Sequence, residues 1–103
     1  MKYSLDFLPE AEYDVQEIYD WYELQLAGLG EDFLLSVDAA LAGISRNPLT
    51  NEILYKGVRK AKTKRFPFGV FYIIDKNIIT VIAIVHLSRH PRTWKKRVRK
   101  RNK

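Results

Sequence analysis

A chain of 103 residues without cysteine is long enough for one domain with its own hydrophobic core, and it excludes both a disulfide framework and a thiolate metal site. Its charge is divided: residues 1–55 carry 11 acidic and two basic side chains, a net −9, whereas residues 56–103 carry 16 basic side chains against Asp75, a net +15. The basic half predicts an anionic partner, either a nucleic acid or an acidic protein.

The first half of the chain predicts a strand followed by a helical hairpin. Residues 3–7 alternate between apolar and polar side chains, which is the period-two pattern of a strand with one buried face. Helical spacing begins at Pro9, a residue favoured in the first turn of a helix, and ends at Gly28 and Gly30. A second helical stripe follows and stops before Pro48.

The second half predicts three strands. The first runs from Val58 to Phe66 with charged residues throughout, and two largely apolar strands follow at 68–74 and 78–86. The longest apolar run has eight residues, against about 20 for a membrane span, so we expect a cytoplasmic protein that makes no membrane contact. The order strand–helix–helix–strand–strand–strand predicts an α+β domain with a mostly antiparallel sheet and the helical hairpin packed on it.

The C-terminal segment has a composition of its own. Eight of residues 92–103 are Lys or Arg, and Trp94 and Val98 are the only large apolar side chains there. We therefore place one α+β domain at 1–91 and predict a basic tail or a short helix, pinned by Trp94, at 92–103. The alternative is an arm that binds nucleic acid or a partner.

Basic side chains concentrate in the first predicted strand of the second half. If that strand is regular, Lys60, Lys62 and Lys64 lie on one face and Arg59 and Arg65 on the other. Successive same-face lysines stand about 6.6 Å apart and repel one another unless an anion relieves them. A solvated edge strand is the alternative. The residues assigned to target or nucleic-acid binding are Arg59, Lys64, Trp94, Lys95, Lys96 and Arg97.

Two histidines flank the end of the last strand. Histidine is the side-chain type that changes its charge near neutral pH, so His86 could move a proton, or it could simply close the strand by hydrogen bonding its neighbours. Pro91 and the absence of a carboxylate nearby in sequence argue against a metal site, and we predict none. Metal-free RNA cleavage needs a base, an acid and cations around the phosphorane. The side chains of the right types are Lys60, Lys62, Arg65, His86 and Arg89.

From Tyr3 to about Arg97 the sequence resembles the RelE/ParE superfamily of toxins from type II toxin–antitoxin (plasmid stabilisation) modules. The resemblance rests on short motifs in a fixed order: Gly28-Leu29-Gly30 with Phe33, Asn47-Pro48, Gly57-Val58-Arg59, Arg65 to Tyr72, and His86 to Pro91 before Trp94 and Arg97. It implies a small α+β toxin without a cofactor, held inactive by an acidic cognate antitoxin.

Members of the superfamily are known to act in two ways. RelE-like members cleave mRNA on the ribosome, and many carry an Arg just before the triplet that corresponds to Val70–Tyr72, where this chain has Gly69. Lys60 and Lys62 do match basic positions of the RelE-like strand. ParE-like members poison DNA gyrase without a nuclease site, and they show a His-x-x-Arg segment similar to residues 86–89. The resemblance slightly favours a gyrase inhibitor. A ribosome-dependent endoribonuclease and, third, a non-toxic basic nucleic-acid-binding module remain open.

Overall fold

The computed structural model describes residues 2–101, with side chains up to Val98. Within that range the chain forms five strands and three helices. They are β1 (Ser4–Phe7), α1 (Pro9–Gln25), α2 (Leu29–Arg46), β2 (Ile53–Tyr55), β3 (Val58–Lys62), β4 (Phe68–Asp75), β5 (Ile78–His86) and α3 (Arg92–Arg101). Residues 102 and 103, the end of the predicted basic segment, lie outside the described residues. None of the described helices combines the length and apolar character that a membrane crossing requires.

The strands form one sheet in the order β1-β5-β4-β3-β2. β1 runs parallel to β5, and the other neighbours are antiparallel, which confirms the predicted α+β class and mostly antiparallel sheet. β1 pairs with β5 only from Ile78 to Val81. In the described part of the chain, the rest of β5 therefore has no strand beside it on that edge.

β2 forms where the sequence predicted only a polar connection. Lys56 and Gly57 both have positive φ, 45° and 82°, and pair Tyr55 with Val58 across a two-residue turn. Positive φ at both central residues is the geometry of a type I′ hairpin turn, whose twist matches that of paired strands. The signal that could have revealed this hairpin is the Lys-Gly dipeptide between two short runs of strand-forming residues.

β3 is shorter than predicted and ends at Lys62, not Phe66. The Thr63 hydroxyl donates to the carbonyl of Phe66 at 2.7 Å, and the Thr63 N–H donates to the carbonyl of Phe68 at 3.0 Å. These bonds fold residues 63–67 into a tight loop. Lys64 and Arg65 thus stand on a loop, and the predicted alternation of faces applies only to the residues of β3.

The sheet is covered on both faces. α1 and α2 pack on one face, where Phe33 of α2 meets Val70 and Tyr72 of β4. α3 packs on the opposite face, where Trp94 stacks on Phe71 with 4.8 Å between ring centroids. The segment from Arg92 is therefore a docked helix as far as residue 101.

The two helices of the hairpin approach closely at Gly30. A Cβ on Gly30 would lie 2.8 Å from the carbonyl oxygen of Tyr19, so α2 can cross α1 only with glycine at this position. The carboxylate of Glu23 accepts the N–H groups of Gly28 at 2.9 Å and Gly30 at 2.8 Å. α1 thus supplies the cap for the first turn of α2, whose own N-cap residue offers no side chain.

Candidate functional site

Lys60 lies on the sheet face that α3 covers, opposite Phe71 in the register of β3 and β4. Its Cγ and Cδ lie 3.1 Å from the position that a Cβ on Gly69 would occupy. The aliphatic part of the Lys60 side chain therefore packs directly over Gly69. Gly69 thus makes room for a neighbouring lysine in this chain.

Lys62 is exposed at the end of β3 and lines a groove of about 630 Å³ between the sheet and the C-terminal end of α2. Arg46 lies on the same groove, with the amides of Asn47 and Asn51. Two cations and two amide groups can bind an anion such as a phosphate. No local pattern marks Arg46 as a site residue, because only tertiary packing brings the last turn of α2 beside β3.

Arg59 and Arg65 are engaged on the α2 side of the molecule. The Arg59 guanidinium donates to the carbonyls of Leu49, at 3.3 Å, and of Asn51, and so holds the loop after α2. Arg65, with φ 72°, pairs with Asp32 of α2 at 3.7 Å. Both arginines thus contact α2 or the loop after it, whereas Lys60 lies on the α3 face of the sheet.

His86 ends β5 with its ring edge-on to that of Phe68, 5.3 Å between centroids. Its Nδ1 accepts the N–H of Ser88 at 3.0 Å. Because Nδ1 is the acceptor, the neutral ring carries its proton on Nε2. His86 therefore offers a hydrogen-bond donor to its surroundings, and its basic nitrogen is turned toward the backbone of its own turn.

His86 and Arg89 open into a groove of about 250 Å³ between α1 and the start of α3. We call it the α1–β5 groove. Its walls carry side chains of opposite charge, because the Glu17 carboxylate stands on α1 while Arg89 stands after β5. The lining residues include Tyr13, Glu17, Ile18, Phe68, His86, Arg89 and Thr93, together with Asp14 and Arg97. Residues 86–89 mark the histidine and the arginine in the sequence, whereas their acidic wall on α1 becomes evident only in the fold.

Arg97, predicted as a target-binding residue, is instead held inside the fold. Its guanidinium donates to both carboxylate oxygens of Asp14, at 2.6 and 3.1 Å, and to the carbonyl of Ile82 at 2.9 Å. The hydrogen bond to Asp14 raises the pKa of Arg97, against the opposing effect of partial burial. Arg97 therefore has a structural role, because it joins α3 to α1 and to β5.

The other predicted binding residues divide between core and surface. Trp94 is buried at 6% exposure against Phe71 and acts as a core residue, not as a platform for bases. Lys95 lies over the ring of Tyr55, its Nζ 4.5 Å from the centroid. Lys64 and Lys96 are exposed.

The five candidate catalytic residues do not gather at one site. Among the described residues, His86 and Arg89 share a groove that is lined by neither Lys60, Lys62 nor Arg65. Within the described range, the structure also contains no group of three histidine or acidic side chains placed to hold a metal ion.

Comparison with known proteins agrees with this fold. Residues 5–91 match the family described as "ParE toxin of type II toxin-antitoxin system, parDE". The chromosomal ParDE system of P. aeruginosa is similar, with a TM-score of 0.74, 18% identity, and coverage of 82% of this chain and 96% of that one.

Two E. coli structures are also similar. The intact RelBE toxin-antitoxin complex has a TM-score of 0.64 at 20% identity, covering 84% of this chain and 99% of that one. The isolated RelE toxin has a TM-score of 0.62 at 18% identity, covering 95% and 97%. No curated protein sequence matches the chain significantly. The structural likenesses establish the fold, and the family match spans most of the sequence.

Proposed function

Because this chain belongs to the ParE toxin family of type II toxin–antitoxin systems, we propose that it stops growth by inhibiting DNA gyrase and not by cutting RNA. The observation that carries the proposal is the separation of the candidate catalytic residues. Lys60 lies on the α3 face of the sheet, Arg65 pairs with α2, and His86 faces α1. General acid and base groups must reach the same substrate, and groups on different faces of the sheet do not favour that.

The hydrogen bonding of His86 supports the same conclusion. A general base needs a free lone pair directed at the substrate, and the lone pair of Nδ1 is used by the Ser88 N–H. Gly69 adds no cation where RelE-like relatives often have one. A toxin that acts by binding a protein target requires neither group.

We also propose that an acidic antitoxin neutralises the chain, as in the toxin-antitoxin complexes among its structural neighbours. Cations on the α3 side and at the end of β3 suit an acidic segment: Lys60, Lys62, Lys95 and Lys96. Such a contact contributes an attraction that salt screens. We expect the affinity of the complex to fall as salt rises, and an affinity independent of salt would contradict this contact.

A ribosome-dependent endoribonuclease is the second candidate, favoured by one observation. Lys62 and Arg46 lie together on the groove beside α2, where two cations can bind a phosphate of an RNA strand. His86 and Arg89 do not line that groove, so this alternative needs further catalytic groups beside Lys62 and Arg46.

The experiment that separates the two candidates is pulse labelling after controlled induction in bacteria. For a gyrase inhibitor, thymidine incorporation falls before amino-acid incorporation. Purified protein then stalls supercoiling by gyrase and leaves cleaved DNA complexes, and Lys62→Ala retains this activity within about twofold. If amino-acid incorporation collapses first, with codon-phased mRNA cuts that Lys62→Ala weakens, the nuclease is correct. Normal gyrase turnover with excess toxin would also reject the proposal.

A further inference from the structure

The α1–β5 groove continues along α1 into a second hollow of about 290 Å³. The second hollow is lined by Glu17, Ile18, Trp21 and Phe68, and the first groove shares three of these residues, namely Glu17, Ile18 and Phe68. The two therefore form one extended depression, with Phe68 in common and α1 along one side.

Aromatic side chains stand exposed along this depression. Tyr13 is 64% exposed and Trp21 is 57% exposed, so each leaves much of a large aromatic side chain in contact with solvent. Tryptophan, tyrosine and arginine supply most of the binding energy at protein interfaces, particularly beside an apolar floor from which water can be excluded. Tyr13, Trp21 and Arg89 therefore form a surface of the composition typical of a protein-binding site.

The charges on the two walls limit the chemistry of the occupant. Arg89 and Glu17 take no part in the two ion pairs found among the described residues, Arg65–Asp32 and Arg97–Asp14. α1 carries six acidic residues and no basic one. A polyanion, whether nucleic acid or a strongly acidic antitoxin segment, is repelled by this helix. The occupant that complements these walls is a protein segment that carries one carboxylate and one cationic side chain, with an apolar side chain between them.

We propose that the α1–β5 groove and its extension to Trp21 dock a segment of the toxin's target protein. The proposal rests on the function proposed above, in which that target is gyrase. The carboxylate of the segment pairs with Arg89 and its cation with Glu17, while its apolar side chain contacts Phe68 and Trp21. The cations that suit an acidic antitoxin lie instead on the α3 side of the sheet and at the end of β3, so target and antitoxin bind different surfaces.

Two charge-reversing substitutions test which kind of occupant the groove binds, because the direction in which each one changes binding depends on the charges of the occupant. Arg89→Glu and Glu17→Lys each remove one pairing, so each should weaken binding to purified gyrase and inhibition of supercoiling by at least tenfold. A polyanionic occupant predicts opposite signs, with Arg89→Glu weakening and Glu17→Lys strengthening the binding. The opposite-sign result would overturn the proposal. Lys2→Glu and Asp38→Lys are the matched controls, since both exposed residues lie outside the depression.

Trp21→Ala tests the apolar part of the contact. Its control is Leu24→Ala, because Leu24 is on the same helix, is 84% exposed and does not line the depression. We expect at least a tenfold loss of gyrase inhibition for the tryptophan variant and less than twofold for the leucine variant. Circular dichroism of each variant checks that the helix content of the chain is unchanged, and equal losses for both variants would contradict docking at this surface.

The wild-type chain distinguishes failure of this inference from failure of the proposed function. If wild-type protein inhibits gyrase and the three groove variants inhibit it equally well, the docking surface is wrong while the function stands. If wild-type protein leaves gyrase turnover unchanged, the proposed function fails and gyrase is rejected as the occupant of the groove.

Discussion

Asp14 and Arg97 together occupy the open edge of β5. β1 pairs with β5 only as far as Val81, and beyond that point Arg97 donates to the carbonyl of Ile82 while Asp14 accepts the N–H of Ile84 at 3.0 Å. An uncovered strand edge presents unpaired backbone groups that invite pairing with another chain. The two side chains satisfy those groups, bind each other and tie α1 to α3.

Removing one member of this pair should be costly. Asp14→Ala leaves a partly buried guanidinium and the Ile84 N–H without their acceptor, and we expect a loss of about 3 kcal/mol in the free energy of unfolding. The double variant Asp14→Ala, Arg97→Ala should lose less than the sum of the single variants. Urea unfolding measures both quantities. Asp32→Ala removes the exposed Arg65 pair as a control and should change stability by less than about 1 kcal/mol.

Two glycines of α2 should respond in opposite directions to alanine. Gly30→Ala places a methyl group 2.8 Å from the carbonyl oxygen of Tyr19, so the helices must separate, at a cost of about 1–3 kcal/mol. Gly43→Ala meets only the Arg46 side chain at 3.9 Å and gains helix propensity, for about 0.5–1 kcal/mol of added stability. Thermal unfolding of the two variants should show melting temperatures on opposite sides of the wild type. Equal shifts would disprove the close crossing.

The two tryptophans should report separately on α1 and α3. Trp21→Phe leaves only Trp94, which is buried against Phe71, so its emission should be blue-shifted and poorly quenched by acrylamide. Trp94→Phe leaves only Trp21, whose emission should be red-shifted and readily quenched. Strong quenching of Trp94 in native conditions would mean that α3 is not docked on the sheet.

The Tyr19 hydroxyl donates a hydrogen bond to the Glu31 carboxylate at 2.9 Å. It should therefore lose its proton at a higher pH than an ordinary tyrosine does. That hydrogen bond, followed by desolvation and repulsion from the carboxylate, raises the pKa of Tyr19 above its ordinary value of 10.0. A raised pKa in the folded state means that the bond's contribution to stability is complete below pH 10 and is lost as the pH rises through the folded pKa. The difference between tyrosinate absorbance titrations of wild type and Tyr19→Phe measures this pKa. A midpoint at or below 10 would contradict the bond.

Local sequence patterns determined the fold class, the element order and the family resemblance. These patterns depend only on which face of each element is buried, because burial of a face determines which nearby sequence positions are apolar. They are the alternation at residues 3–7, the helical spacing after Pro9 and the apolar runs at 68–74 and 78–86. The pairing of Gly28 and Gly30 likewise marked the turn between the helices. These predictions needed no knowledge of which elements meet.

Tertiary structure alone decided what the charged side chains do. Arg97 is basic like its neighbours, but a carboxylate 83 residues away makes it a structural residue, and nothing local distinguishes it from Lys96. The end of β3 depends on the bond from Thr63 to Phe66, and the separation of Lys60 from His86 depends on which face of the sheet each occupies. Charge and residue type are properties of sequence, whereas convergence is a property of packing between distant segments.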